Sequence, residues 1–425
     1  MEPNLTRGGW LLAGPVLGLI AISVAAVVLA WKPALPPVPP VAAASFDRAT
    51  VLHGETLARL GNCGTCHTVT GGRPFAGGKA IQTPFGAIFS TNITPDPATG
   101  LGRWSLEAFM RAMREGISRD GSFLYPAFPY DHFRRTTDRD LAALYAFLMT
   151  RPPVPTQAVE NQLTWPYGYR PLLAGWSFLY VRKDAVDEAD RGRYLAEGLA
   201  HCGACHTPRN QWGAEVADRA YDGAWIDGWY APPLNAGSPA VHPWTEEVLF
   251  AYLSTGLSPV HAAAAGPMAE VVRELSGVPE SDVRALAGYF AGLMADAPAA
   301  KNGKTATDKQ SEADRMHPEG ATLFAGACAS CHEVGAPMMM QQGHPPLGWG
   351  TSLHVDAAHD TLHVIVQGFA PPAGRAGPSM PAFGNDFTDS QLVEIAAYLR
   401  ARYTDLPPWP NLEQAVSDVR KEGGE

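Results

Sequence analysis

Six cysteines occur in 425 residues, and all fall in three copies of Cys-x-x-Cys-His: Cys63-Gly-Thr-Cys66-His67, Cys202-Gly-Ala-Cys205-His206 and Cys328-Ala-Ser-Cys331-His332. On one helical turn, residues three and four apart share a face, so both thiols and the imidazole of each copy point the same way. Two such sulfurs can each form a thioether with a haem vinyl group, which leaves the His to ligate the iron. This spacing is the attachment signature of c-type haem. The competing readings are a thioredoxin-like redox pair and half of a zinc site. Zinc needs a second Cys pair or a paired His at short range, and none follows. A redox pair has no need of His after the second Cys three times over. The motifs predict three covalently bound haem c groups, with His67, His206 and His332 as iron ligands.

A haem iron with His on one side can take Met on the other, which raises its potential. Gly266-Pro-Met268 lies 62 residues after His206, and Gly377-Pro-Ser-Met380-Pro lies 48 after His332. Met is a common core filler, but the repeated position of Met268 and Met380 ahead of a closing helix favours ligation. The first copy departs from this pattern. Its equivalent slot, 61 residues after His67, reads Tyr125-Pro-Ala-Phe128-Pro-Tyr130, and Phe cannot ligate iron. His132 follows four residues on and is the candidate sixth ligand there. Met110, Met113 and an open five-coordinate iron are the alternatives.

The elements that must hold these ligands also repeat. A helix leads into each motif: His53-Gly-Glu-Thr-Leu-Ala, Arg191-Gly-Arg-Tyr-Leu-Ala and Glu319-Gly-Ala-Thr-Leu-Phe. A second helix closes each module with apolar residues at i, i+3 and i+6: Leu141, Leu144 and Phe147; Val283, Leu286 and Tyr289; Leu392, Ile395 and Tyr398. Thr388 with Gln391 reads as a capping box. Between them lie a Gly/Pro-rich loop and a middle helix, for which Ser105 and Thr245 read as N-caps. The expected fold is all-α: three haem domains in tandem behind one N-terminal transmembrane helix. The divisions are an anchor and Pro-rich spacer at 1–45, a first domain at 46–152, and a connector at 153–183. A second domain at 184–297, a linker at 298–314, a third domain at 315–405 and a tail at 406–425 follow.

The anchor is read from Gly8 to Trp31, 24 residues without a charge. At ~1.5 Å per residue it reaches about 36 Å, against a hydrocarbon core of about 30 Å. Trp10, Trp31, Arg7 and Lys32 flank it as interfacial residues do. A cleaved signal peptide, processed near Ala42-Ala43-Ala44, is the rival reading, but its apolar core would be shorter. Haem is attached outside the cytoplasm. The expectation is therefore a single-pass inner-membrane protein with its haem domains in the periplasm. Five prolines between Lys32 and Pro40 predict an extended polyproline spacer. The net charge of −10, without a basic stripe, excludes nucleic acid as a partner.

With these motifs in place, the chain resembles the tri-haem cytochrome c subunit of bacterial membrane-bound periplasmic dehydrogenases, those acting on alcohols, gluconate, fructose, sorbitol or aldehydes. The resemblance covers about Phe46 to Tyr403. Besides the haem motifs it rests on Ser90-Thr-Asn-Ile-Thr-Pro-Asp96, Leu124-Tyr-Pro-Ala-Phe-Pro-Tyr130, Gly175-Trp176 and Gly266-Pro-Met268-Ala. It implies electron transfer from a catalytic dehydrogenase subunit, with or without an iron-sulfur subunit, to membrane ubiquinone. Phe128 with Asp131-His132-Phe133 looks most like cytochromes that accompany molybdopterin-dependent aldehyde dehydrogenases. A multi-haem peroxidase working at an open first haem, and a free-standing electron shuttle, are the other function classes.

Overall fold

The computed structural model describes residues 31–181, 188–298, 308–336, 345–371 and 379–422. Among them lie seventeen α-helices, four 3-10 turns and seven short strands in three small sheets. The all-α expectation is therefore corrected, because the loops after the haem motifs form hairpins. β1 (Ala80–Thr83) pairs antiparallel with β2 (Gly86–Phe89), and β3 (Gln162–Leu163) adds to the other edge of β2. β4 (Ala224–Ile226) and β5 (Trp229–Ala231) join through Asp227-Gly228, both at positive φ (47° and 74°). That is the geometry of a two-residue type I′ turn. β6 (Leu257–Ser258) and β7 (Ala262–Ala263) make the third sheet.

The transmembrane helix and the single-pass inner-membrane and periplasmic placement are also corrected. Among the described residues no helix is long and apolar enough to cross a membrane. The longest, Asp389–Tyr403, has 15 residues and reaches only about 22 Å at ~1.5 Å per residue. Residues 8–30 of the apolar run lie outside the described residues.

The chain divides into two compact units, Met1–Glu55 with Cys66–Ala185, and Thr56–Thr65 with Val186–Glu425. In the first, the Pro-rich segment is a strap laid on the protein. Leu35 N–H donates to Arg119 O at 2.8 Å, Val38 N–H to Arg103 O at 3.0 Å, and Arg111 Nη1 to Pro33 O at 2.7 Å. The middle helix Leu106–Glu115 starts on Ser105, whose hydroxyl accepts from Ala108 N–H, and stops at Gly116 in the left-handed region. The closing helix Asp138–Met149 buries Leu141, Leu144 and Phe147 as its sequence pattern predicts. Residues 153–163 fold back on this unit: Asn92 Nδ2 donates to Val154 O at 2.7 Å, and β3 completes the sheet. The helix Leu172–Tyr180 buries Leu173 and Ala174 against Ile117 and Phe123.

In the second unit, Arg191–Glu197 leads into the second motif and Glu280–Leu293 closes that module. Thr245 caps the helix Glu246–Thr255 by accepting from Val248 N–H. Of the expected linker, residues 299–307 lie outside the described residues. The helix Gln310–Met316 buries Ala313 in the third core. Around that core pack Pro318–Ala327, His359–Gln367 and Asp389–Tyr403, whose start carries the expected capping box of Thr388 and Gln391. The helix Leu412–Glu422, in the stretch read as a tail, buries Leu412, Ala415, Val416 and Val419 in the same core.

One crossing recurs three times. A Cβ on Gly54 would lie 2.0 Å from Ala143 O and 2.7 Å from Phe147 Cβ. On Gly192 it would lie 2.3 Å from Ala285 O and 2.8 Å from Tyr289 Cβ; on Gly320, 2.4 Å from Glu394 O and 2.8 Å from Tyr398 Cβ. In each module the leading helix thus meets the closing helix at a glycine, with an aromatic residue four positions after the touching carbonyl. The residue before the glycine ties the first two crossings through a carboxylate: His53 Nε2 lies 2.7 Å from Asp140 Oδ1, and Arg191 Nε 2.9 Å from Asp282 Oδ1.

Candidate haem sites

Each motif folds as a single helical turn: Cys63–Cys66, Gly203–His206 and Ala329–His332. None of the six cysteines is in a disulfide. Burial pushes the Cys202 thiol up to about 12 and the Cys328 thiol up to about 11. A redox-active Cys-x-x-Cys has the opposite requirement, a lowered thiol pKa. Two thiols beside an imidazole on one turn are the donor set that two thioethers and a His–iron bond require.

The histidines are oriented by backbone. His67 Nδ1 lies 2.6 Å from Thr91 O, and His206 Nδ1 lies 2.8 Å from Pro232 O. A carbonyl only accepts, so the ring proton is on Nδ1 in both, and the Nε2 lone pair faces away from this bond, as an iron ligand needs. Burial holds both imidazoles below their ordinary range, which keeps them neutral. The same two modules share a further contact: Gly77 N–H donates to His67 O and Gly223 N–H to His206 O, each at 2.8 Å. Both glycines have positive φ, 75° and 85°.

The loop from Ser90 to Asp96 shows why its sequence is distinctive. Asn92 Oδ1 accepts from Thr94 N–H at 2.9 Å and from its hydroxyl at 2.7 Å, while Asp96 Oδ1 accepts from Thr99 N–H at 2.7 Å. These bonds fix the backbone that carries the Thr91 carbonyl. Thr91 and Pro232 are absent from the site residues that the sequence pattern predicts. Their contribution is a main-chain oxygen, which leaves no side-chain signature.

The sixth-ligand candidates are placed as follows. Met268 lies in the first turn of the helix Gly266–Leu275, with Pro267 at its start, rather than in a loop. Met380 pairs through its backbone with Phe369 (3.0 and 2.8 Å) and packs against the third core, as does Cys328. The structure therefore brings one motif cysteine and Met380 to the same core. In that module Arg402, 1% exposed, lies 2.6 Å from Glu333, the residue after His332, and 2.9 Å from Asp308. His132 is buried on a one-turn helix, Tyr130–Phe133. Phe128 packs edge-on against Phe133 with ring centroids 5.2 Å apart. Met113 is buried on the middle helix and Met110 half-buried.

Residues 51–152 match the cytochrome c family, and residues 315–399 match the family described as cytochrome c oxidase, cbb3-type, subunit III. Modules of this class carry covalently bound haem c. The chain is 35% identical to the fructose dehydrogenase cytochrome subunit of Gluconobacter japonicus, over 89% of this chain and 84% of that protein. It is 34% identical to the alcohol dehydrogenase (quinone) cytochrome c subunit of Gluconobacter oxydans, over 98% and 87% respectively. It is 42% identical over its whole length to a nicotinate dehydrogenase subunit of Pseudomonas putida, a longer protein of which it spans 36%. The chain belongs to the family of cytochrome c subunits of dehydrogenase complexes, which are electron-transfer proteins.

Proposed function

We propose that this chain takes electrons from a dehydrogenase catalytic subunit and relays them through three haem c groups to ubiquinone. The haems are assigned to Cys63, Cys66 and His67; to Cys202, Cys205 and His206; and to Cys328, Cys331 and His332, one in each of three modules. Haem c, when bound, supplies one-electron exchange between ferric and ferrous iron. The protein's part is to hold each ring by two thioethers, fix the imidazole tautomer, and set the other axial group. Met268 and Met380 serve the second and third sites and His132 the first. The observation that carries this reading is the matched pair His67–Thr91 and His206–Pro232, two copies of one ligand geometry built on unrelated loop sequences.

For the substrate, the Asp131-His132-Phe133 pattern favours an aldehyde dehydrogenase partner, with or without an iron-sulfur subunit. The 42% identity to a nicotinate dehydrogenase subunit favours nicotinate as the second reading. Purification of the tagged full chain from its native host tests the assignment. A large catalytic subunit should accompany it, and addition of an aldehyde or of nicotinate should reduce the haems, which a soluble ubiquinone analogue should then reoxidise. A chain that purifies alone and is reduced by neither would be a free-standing shuttle.

A further inference from the structure

We propose that the third module sets the ligand field of the second haem through the β4–β5 hairpin, with Trp229 and Asp360 as positioning residues. The inference rests on the reading of Cys202, Cys205 and His206 as a haem site. Two strands of three residues make a hairpin that is marginal on its own, so its position must be fixed from outside. The third module does this. His363, 1% exposed, stacks on Trp229 with ring centroids 4.5 Å apart and planes 12° from parallel. Asp360 Oδ1 accepts from Tyr230 N–H at 2.8 Å, and His359 meets Trp225 edge-on at 4.7 Å.

The hairpin in turn touches the segments that carry both expected iron ligands of the second site, His206 and Met268. The chain leaving β5 presents the Pro232 carbonyl to His206 Nδ1 at 2.8 Å. Gly266 presses on Trp229 so closely that a Cβ there would lie 2.4 Å from its ring, and Met268 is two residues further on. One tryptophan therefore touches both His363 and the segment bearing the expected sixth ligand, while its own strand steers the acceptor of the fifth. A firm bond from Nδ1–H makes an imidazole a stronger donor to its metal. Loosening that bond favours ferrous iron and raises the potential.

The test is a redox titration of the full, haem-loaded chain as Trp229→Ala, Trp229→Phe and Asp360→Ala. The second haem is identified by its loss in a Cys202→Ala/Cys205→Ala variant. Both alanine variants should raise the midpoint of that haem and leave the first haem unchanged. Trp229→Phe, which keeps a ring to stack, should restore the parent value. If Trp229→Ala fails to load haem, Asp360→Ala carries the test. Parental midpoints in haem-loaded alanine variants would overturn the inference. Parental haem content in the double cysteine variant would instead overturn the attachment reading beneath it.

Discussion

Gly192 lies so close to Ala285 that a methyl group in place of its hydrogen would stand 2.3 Å from the Ala285 carbonyl oxygen. The obstacle is backbone, which cannot swing aside as a side chain can. Gly54→Ala, Gly192→Ala and Gly320→Ala should each force the leading and closing helices of their module apart. Overpacking of this kind costs about 1–3 kcal/mol, and the short distances place these sites at the upper end. Chemical denaturation of the three variants checks this; parental midpoints in all three would show that the crossings yield freely.

Haem content gives a count. The full chain should return three c-type haems per polypeptide in a pyridine haemochrome assay after acid-acetone extraction, because three motifs present the same donor set. Each Cys-to-Ala pair, at Cys63/Cys66, Cys202/Cys205 or Cys328/Cys331, should remove one. A parent value near two would identify a motif that carries no haem.

The first haem is expected to differ from the others because Phe128 stands where the second and third modules offer Met. An imidazole donates more strongly to iron than a thioether, and Met ligation raises potential. With His132 as the sixth ligand, this haem should have the lowest potential of the three. His132→Ala should abolish one low-spin signal in low-temperature EPR and shift one midpoint in a redox titration. Unchanged spectra would return the site to Met110 or Met113.

The contact between the hairpin and the third module carries two opposed titrations. Burial raises the Asp360 carboxyl to about 6 from its ordinary 3.8, so the folded state holds that proton more tightly and stability falls as pH rises from about 4 to 6. Burial lowers His363 to about 4 from 6.5, so the folded state releases that proton and stability falls as pH drops from about 6.5 to 4. Glu422, 3.1 Å from His363 Nε2, is also raised and titrates in the sense of Asp360. Asp360→Asn keeps an acceptor for Tyr230 N–H while removing one of the opposed groups. Its urea midpoint should fall more steeply than the parent's on acidification from about 6.5 to 4; superimposable profiles would show that Asp360 is not coupled to folding.

Arg402 ties the closing helix of the third module to Glu333 and Asp308. Arg402→Met should destabilise that module by about 1–3 kcal/mol, less than for a fully buried pair because both carboxylates reach solvent. Thermal denaturation followed at the third haem would register the loss.

The parts of this structure that are legible in sequence are those written in side chains. Ser105, Thr245, Thr388 and Gln391 cap the helices that their spacing assigns to them, and the buried stripe Leu141, Leu144, Phe147 follows its period. The hairpins escape such a reading, since strands of two to four residues are too short to show alternation. Asp227-Gly228 is nonetheless a turn signal of the right kind. The Pro-rich strap carries no mark of its docking, which depends on the distant carbonyls of Arg103 and Arg119. The helix Leu412–Glu422 follows Pro407, Pro408 and Pro410, and those breakers mask the apolar face beyond them.

The bond from His67 to the Thr91 carbonyl has a bearing on how such a protein can vary. No substitution deletes a peptide oxygen, so the partner of the imidazole survives every change at position 91 that leaves the chain path intact. Retuning a haem held at His67 by this route would instead pass through Asn92 and Asp96, whose hydrogen bonds bend the loop. Heritable adjustments would then arrive as small displacements of main chain. They would grade the potential in fine steps, whereas replacement of an axial side chain would change it all at once.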